Sequence, residues 1–209
     1  MSQSAKELMD IEEEMTKVEN NEDSTLCKAC QHRCCENMGC EIYPIDVIKK
    51  YGEISVDTIE KLIATGYVSI DWYSGDPRNG MHELEKGYYL RMRNKDAPIS
   101  DPCFEGECIA YDKKTGCKLS FENRPLGGRI LCPKPDMTCD YGSFEGSAHR
   151  NGKRMASIHW VPYHDILKSI ADKYYDPNYH PTCPDRIFSD LLDAFLGYRD
   201  ITFQEFGLF

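Results

Sequence analysis

The sequence predicts a small, helix-rich α+β fold in which helical segments at both ends flank a loop-rich centre. Three observations predict it. Apolar residues recur with helical spacing near both ends, two short stretches in the middle alternate apolar and polar residues, and residues 94–152 are rich in Gly, Pro and Cys without clear periodicity. A chain of 209 residues is long enough for one ordinary domain.

We expect this domain to have three parts. They are an acidic amino-terminal helix and linker (1–24), a cysteine-rich domain (25–150) and a carboxyl-terminal helical segment that packs on it (151–209). The first helix is predicted from about Ser4 to Glu19, where apolar residues recur at spacings of three and four. These residues are Leu8, Ile11, Met15 and Val18. Such a helix either docks on the body of the protein or binds a partner or a second copy.

Four elements are predicted in the middle of the chain. They are a helix over 44–51, a helix from 56 to about 66, and strands over 67–73 and 88–92. Pro44 suits the first turn of a helix and Gly52 suits its end. The segment 76–80, Asp-Pro-Arg-Asn-Gly, predicts a turn between the two strands.

Two further helices are predicted near the carboxyl terminus, over 166–174 and 187–196, with Asp185 as the amino-terminal cap of the second. Before them, His159 and His164 flank a short aromatic segment. The two histidines either build an acid–base site or belong to an aromatic packing edge.

The composition bears on partners and location. A net charge of −10 and a pI near 5.1 argue against nucleic-acid binding, because phosphate backbones attract concentrated Lys and Arg. An acidic surface suits a basic protein partner. No apolar run is long enough for a membrane span or a signal peptide, so we expect no membrane insertion and a cytoplasmic location.

Eleven cysteines fall mainly into two groups. Four thiols occupy the nine residues from Cys27 to Cys35, at positions 27, 30, 34 and 35. Thiols so close cannot all pair with one another in good disulfide geometry, but they can converge on a metal. The second group is Cys103, Cys108, Cys117, Cys132 and Cys139. Metal ligation would organise the loop-rich centre, and the alternative is a set of ordinary buried thiols.

The order of these residues is specific. The motifs are Cys27-x-x-Cys30-x-x-x-Cys34-Cys35, Cys108-Ile109-Ala110-Tyr111, Gly116-Cys117-Lys118-Leu119 and Arg124-Pro125. Over residues 25–133 the chain resembles the YkgJ-type cysteine-cluster family, which is described as zinc- or iron-chelating and is often labelled as iron–sulfur. The resemblance implies metal ligands at Cys27, Cys30, Cys34, Cys35, Cys108 and Cys117. Cys132 follows Arg124-Pro125 as a family cysteine does, at a longer spacing.

The identity of the metal stays open at this point. All-thiolate sites suit both zinc and iron–sulfur clusters, and the family label favours the cluster. Six or more candidate ligands exceed the need of one tetrahedral zinc, so either two centres exist or some thiols are structural or redox active. Arg124 is expected beside the centre, where a guanidinium would offset thiolate charge, or else it is a surface residue. The roles of Cys40, Cys103, Cys139 and Cys183 are left open.

Three functions fit these observations. The first is a cysteine-ligated centre in redox chemistry or in metal or cluster handling. The second is a zinc-binding structural or interaction protein. The third is a metal-dependent protein-modifying enzyme, because flagellin lysine methylases contain a related cysteine segment, although the chain carries no recognisable motif for binding a methyl donor.

Overall fold

A computed structural model describes residues 3–17, 20, 23, 25–26, 34–74, 86–101, 106–131, 156–176 and 178, and the structural statements below refer to these residues. About 48% of the described part is helix and 18% is strand, which confirms the helix-rich α+β class. No helix within it is long and apolar enough to cross a membrane. The predicted turn at 76–80, the helix at 187–196 and its cap Asp185 lie outside the described residues.

The described elements include every predicted helix and strand except the helix at 187–196, together with several short elements that were not predicted. They are α1 (Gln3–Met15), α2 (Cys34–Asn37), β1 (Glu41–Ile42), α3 (Pro44–Tyr51), α4 (Val56–Ile63), β2 (Val68–Ser74), β3 (Lys86–Met92), β4 (Tyr111–Asp112), β5 (Gly116–Cys117), α5 (Leu126–Ile130), α6 (Ala156–Trp160) and α7 (His164–Lys173), with 3-10 turns at Phe121–Asn123 and Val161–Tyr163. The additions are too short for any periodicity to predict them.

Local signals explain the bounds of α3. Pro44 occupies its first turn, where a missing N–H costs nothing. The Asp46 side chain turns back to accept a hydrogen bond from the Tyr43 N–H at 2.9 Å. Gly52 ends the helix at φ +83°, a left-handed conformation that glycine adopts most easily. The predicted helix over 44–51 is therefore confirmed at both ends.

β1, β3 and β2 form an antiparallel sheet in that order, and one face of it is apolar. Its buried side chains are Ile42, Val68, Ile70, Trp72, Tyr88, Leu90 and Met92. Helices α6 and α7 pack on this sheet, and the Trp160 Nε1–H donates to the carbonyl oxygen of Ile42 at 2.8 Å. Leu167 and Ile170 of α7 belong to the same buried cluster. The apolar sheet face and these two helices form the core.

The opposite sheet face carries a buried ion network. The Arg91 guanidinium donates to Asp71 at 2.8 Å and to Asp101 at 2.6 Å, and the Tyr89 hydroxyl donates to Asp71 at 2.7 Å. The side chains of Arg91, Asp71 and Asp101 are each about 1% exposed. Burial raises the pKa of Asp71 to about 6, although Arg91 and Tyr89 oppose the shift. Asp71 and Asp101 thus share the buried Arg91 guanidinium as the cation that compensates their charge.

Helix α1 docks on the body through a carboxylate as well as through its apolar stripe. Leu8 is buried as predicted, and Glu12, one turn further on, is only 1% exposed. Glu12 Oε1 lies 2.7 Å from His159 Nδ1, and Glu12 Oε2 accepts the Ile45 N–H at 2.6 Å. The docking interpretation of α1 is confirmed. The helix ends at Met15, before the predicted Glu19.

The two histidines of the aromatic segment lie in different surroundings. The His159 ring contacts Tyr43 edge-on at 5.1 Å between centroids, whereas the His164 ring lies 5.5 Å from Tyr88. His159 is buried against α1, and His164 is partly exposed. This arrangement favours aromatic packing over a shared acid–base site.

Replacing Arg91 tests the buried network. In Arg91→Met the packing volume is similar, but Asp71 and Asp101 lose their shared cation and stay buried. We expect the free energy of unfolding, measured by urea denaturation, to fall by about 3–5 kcal/mol. Lys61→Ala, which removes the exposed ion pair with Asp57, serves as the control and should cause no measurable change. A loss in Arg91→Met as small as in the control would contradict the structural role of Arg91.

Replacing Glu12 tests the docking of α1. Glu12→Ala removes the carboxylate that contacts the buried His159 ring and accepts the Ile45 N–H, so the free energy of unfolding should fall by about 3 kcal/mol. Limited proteolysis should then cut within the first 25 residues at a higher rate. Glu13→Ala, at the neighbouring exposed position, should leave both measurements unchanged. Equal cleavage rates in the two variants would show that Glu12 does not hold the helix.

Candidate metal centre

Four cysteine side chains are described, and they come from both sequence groups. Cys35 lies in α2, Cys40 directly precedes β1, Cys108 follows β3 in the chain and Cys117 lies in β5. Cys108 is buried and the other three are partly buried. Among the predicted ligands, Cys27, Cys30, Cys132 and the side chain of Cys34 lie outside the described residues, as do Cys103, Cys139 and Cys183.

Residues 106–109 join the two cysteine groups through the backbone. On one side, the Cys108 N–H donates to the carbonyl oxygen of Cys35 at 2.9 Å, and the Gly106 N–H donates to that of Asn37 at 2.7 Å. On the other side, the Ile109 N–H donates to the carbonyl oxygen of Arg93 at 2.9 Å. The fold therefore brings the backbones of Cys35 and Cys108 together.

A small ribbon places Cys117 beside the same segment. β4 and β5 pair so that Tyr111 lies opposite Cys117, and the Tyr111 N–H donates to the carbonyl oxygen of Cys108 at 2.9 Å. The Tyr111 hydroxyl donates to the Glu36 carboxylate at 2.6 Å, which ties the ribbon to α2. Cys35, Cys108 and Cys117 are thus linked by a continuous set of hydrogen bonds.

The thiols of this region influence one another's ionisation. Burial raises the pKa of Cys40 well above its usual value, and the charges of Cys108, Cys35 and Cys117 raise it further because thiolates repel each other. Burial also raises the pKa of Cys108, while Arg91 and Lys95 act in the opposite direction. Without a cation the raised pKa values of Cys40 and Cys108 favour the neutral form of these two thiols.

The cysteine thiols are chemically suited to a soft metal, but the described residues alone do not form a complete metal site. Clustered thiols are the ligands that zinc and iron–sulfur clusters prefer. Within the described ranges, no group of three or more His, Cys, Asp or Glu side chains is arranged so that it could hold a metal ion. Four of the seven candidate ligand positions, Cys132 included, have side chains outside those ranges.

Helix α5 packs against the cysteine region through two glycines. A Cβ atom at Gly127 would overlap the backbone oxygen of Glu41, and one at Gly128 would lie 3.0 Å from the Cys40 sulfur and 3.4 Å from the Arg124 Cβ. The sequence suggests only a flexible turn at this glycine pair, and that interpretation is wrong. Arg124 is partly buried, and its Nε–H donates to the carbonyl oxygen of Leu119 at 3.2 Å. Arg124 therefore lies near Cys40, next to Gly128.

Asp46 fastens α5 to the rest of the fold. Both of its carboxylate oxygens lie 3.0 Å from the Leu126 N–H, at the start of α5, and the same carboxylate accepts the Tyr43 N–H. Arg129 approaches it at 3.5 Å. Burial raises the pKa of Asp46 to about 6, although the hydrogen bonds from Tyr43 and Leu126 and the charge of Arg129 oppose the shift. Asp46 thus holds α5 in place against β1.

Sequence reasoning missed several residues that build this region. Asp46 is three residues after Tyr43 at the start of a predicted helix, a spacing typical of a capping interaction. The two adjacent glycines beside Arg124-Pro125 could have indicated close packing. Asn94, which is buried and accepts the Gly39 N–H through Oδ1 at 3.0 Å, has no sequence signal of its own.

The chain matches no protein-family model, no curated protein and no solved structure in the three comparisons made. The resemblance to the YkgJ-type family accordingly depends on the cysteine and Arg-Pro motifs quoted above.

A pH series tests the role of Asp46. The folded protein holds the Asp46 proton up to pH about 6, whereas an unfolded chain releases it near 3.8. Folding stability from this group is therefore full below pH 3.8 and is lost as the pH rises through 6. Over this window, the decrease in unfolding free energy should be smaller in Asp46→Asn than in the natural protein. An equal decrease in the two proteins would show that Asp46 does not keep its proton in the fold.

Proposed function

We propose that this protein carries a cysteine-ligated metal centre, an iron–sulfur cluster, and acts in redox chemistry or in the handling of metals or clusters. The observation that carries the proposal is that Cys35 of the first cysteine group and Cys108 of the second lie side by side in the fold. Cys35 and Cys108 are 73 positions apart in the chain and share a backbone hydrogen bond of 2.9 Å. Ordinary buried cysteines have no need to gather in this way.

The proposed ligands are drawn from Cys27, Cys30, Cys34, Cys35, Cys108, Cys117 and Cys132, with Arg124 nearby to offset their charge. An iron–sulfur cluster bound there would supply one-electron transfer, at a potential that depends on burial, charge and hydrogen bonding. The chain contributes a partly buried setting, backbone segments held in register, and the Arg91 and Lys95 charges that favour the thiolate form of Cys108. A cytoplasmic location, where thiols stay reduced, belongs to the same proposal.

A structural zinc site is the second candidate. Residues 106–131 contain only a two-residue ribbon, one 3-10 turn and one five-residue helix, so this segment has little regular structure of its own. A cross-linking metal would stabilise such a segment directly. The first candidate predicts iron and acid-labile sulfide, whereas the second predicts zinc without sulfide.

Metal analysis after anaerobic purification tests the proposal. We expect stoichiometric iron and acid-labile sulfide, with visible absorption that bleaches on reduction. Cys117→Ser should lose most of the iron and the absorption while keeping its circular dichroism, since Cys117 is only partly buried. Cys183→Ser, beyond both cysteine groups in the sequence, should keep both.

Two other results are informative. Stoichiometric zinc without sulfide would favour the structural zinc site and would contradict the iron–sulfur cluster. A natural protein without bound iron or zinc, unaffected by a chelator and unable to take up either metal when reduced, would refute a metal centre of any kind.

A further inference from the structure

We propose that Asn94 is a positioning residue of the candidate centre. In this role it holds the segment that carries Cys108 against the loop that follows Cys35, so that these two cysteines stay side by side. The inference rests on the proposed metal centre and adds to it a residue that aligns ligand-bearing segments without binding the metal. Three features of the position of Asn94 lead to it.

Asn94 lies directly opposite Cys108 in a short antiparallel pairing beyond the end of β3. Hydrogen bonds of 2.7 and 2.9 Å join residues 93–95 to residues 107–109 on either side of this pair. Asn94 and Cys108 therefore have no backbone hydrogen bond between them, and in antiparallel pairing this is the type of pair whose side chains lie closest. The side chains of Asn94 and Cys108 thus lie on the same face.

The Asn94 side chain also binds the loop that follows Cys35. Its Oδ1 accepts the Gly39 N–H at 3.0 Å, and both residues are buried. Gly39 lies so close to β3 that a Cβ atom there would overlap the carbonyl oxygen of Met92. One side chain therefore connects this loop to the pairing that holds Cys108.

A second glycine packs against the same amide. A Cβ atom at Gly106 would lie 3.1 Å from the Asn94 Nδ2, and the backbone at Gly106 has φ +146°, which side chains rarely allow. The Gly106 N–H donates to the carbonyl oxygen of Asn37 at 2.7 Å, and the Cys108 N–H donates to that of Cys35 at 2.9 Å. The segment that bonds to α2 therefore packs directly on the Asn94 side chain.

The amide group of Asn94 matters more than its volume. A buried backbone N–H needs an acceptor, and Oδ1 of Asn94 is the acceptor of the Gly39 N–H. Leucine has a similar size but no polar atom, so in Asn94→Leu the Gly39 N–H would lose this acceptor. The loop would then move toward water, and α2 with Cys35 would move with it.

Amide hydrogen exchange of the full, reduced chain tests the alignment. In Asn94→Leu the Cys108 N–H, which donates to Cys35, should exchange about tenfold faster than in the natural protein, because its segment opens more often. The Gly52 N–H, which donates to Ile48 at the end of α3, is the control and should keep its natural rate. An unchanged rate at Cys108 would overturn the proposed role.

Cobalt(II) titration of the reduced, chelator-treated chain tests what the alignment contributes to metal binding. The affinity of Asn94→Leu for cobalt should fall by about tenfold or more, with every cysteine still present. Ile59→Val, a mild change in the core at α4, lowers stability away from the cysteines and should keep the natural affinity. A natural affinity in Asn94→Leu, or an equal decrease in both variants, would show that Asn94 does not position the ligands.

A second variant keeps Asn94 itself. Gly106→Ala places a methyl group against the Asn94 side chain and should change the exchange rate and the affinity in the same direction, which covers the case in which Asn94→Leu does not fold. Natural values in both variants would overturn the role of Asn94 and leave the metal centre standing. If the natural chain binds no cobalt, zinc or iron, the centre itself is wrong and Asn94 positions no ligand.

Discussion

Backbone hydrogen bonds on both sides of residues 106–109 determine how the described part of the cysteine region is built. A segment with little regular structure gains limited stability from its own core, so neighbouring strands and helices must satisfy its polar groups. Here α2 accepts bonds from Cys108 and Gly106, and the chain after β3 accepts one from Ile109. The relative position of Cys35 and Cys108 therefore follows from the sheet, because β3 is its central strand.

Two buried carboxylates connect the helices to this framework. Glu12 of α1 accepts an N–H at the start of α3, and Asp46 of α3 accepts the N–H at the start of α5. A negative group at the start of a helix is favourable because the first N–H groups lack partners within the helix. The chain of contacts runs from α1 through α3 to α5, which borders Cys40. The amino-terminal helix and the candidate centre thus share structural support.

Local patterns predicted the regular elements well, and long-range contacts account for what they missed. The helix at 44–51 could be predicted at both ends because Pro44 and Gly52 act within one turn. The burial of Glu12 has no local sequence signal, since its partner His159 is 147 positions away. Gly127 and Gly128 looked like a turn because their close packing involves Glu41 and Cys40. The family resemblance implies a ligand set that includes Cys35, Cys108 and Cys117, and that set stays a prediction, whereas the position of Cys40 beside Met92 required the register of β1 against β3.

The charge balance of this region constrains any function assigned to it. On the opposite sheet face Arg91 is shared by Asp71 and Asp101, so only part of its charge is left to favour the thiolate form of Cys108. Thiolates at Cys40 and Cys108 would be anions where burial disfavours charge. These two thiols are therefore either protonated or neutralised by a bound cation. In the proposed function the metal is that cation, and its binding must release protons from the thiols. A centre of this kind would couple metal occupancy both to the pH and to the packing of the segments that carry the cysteines.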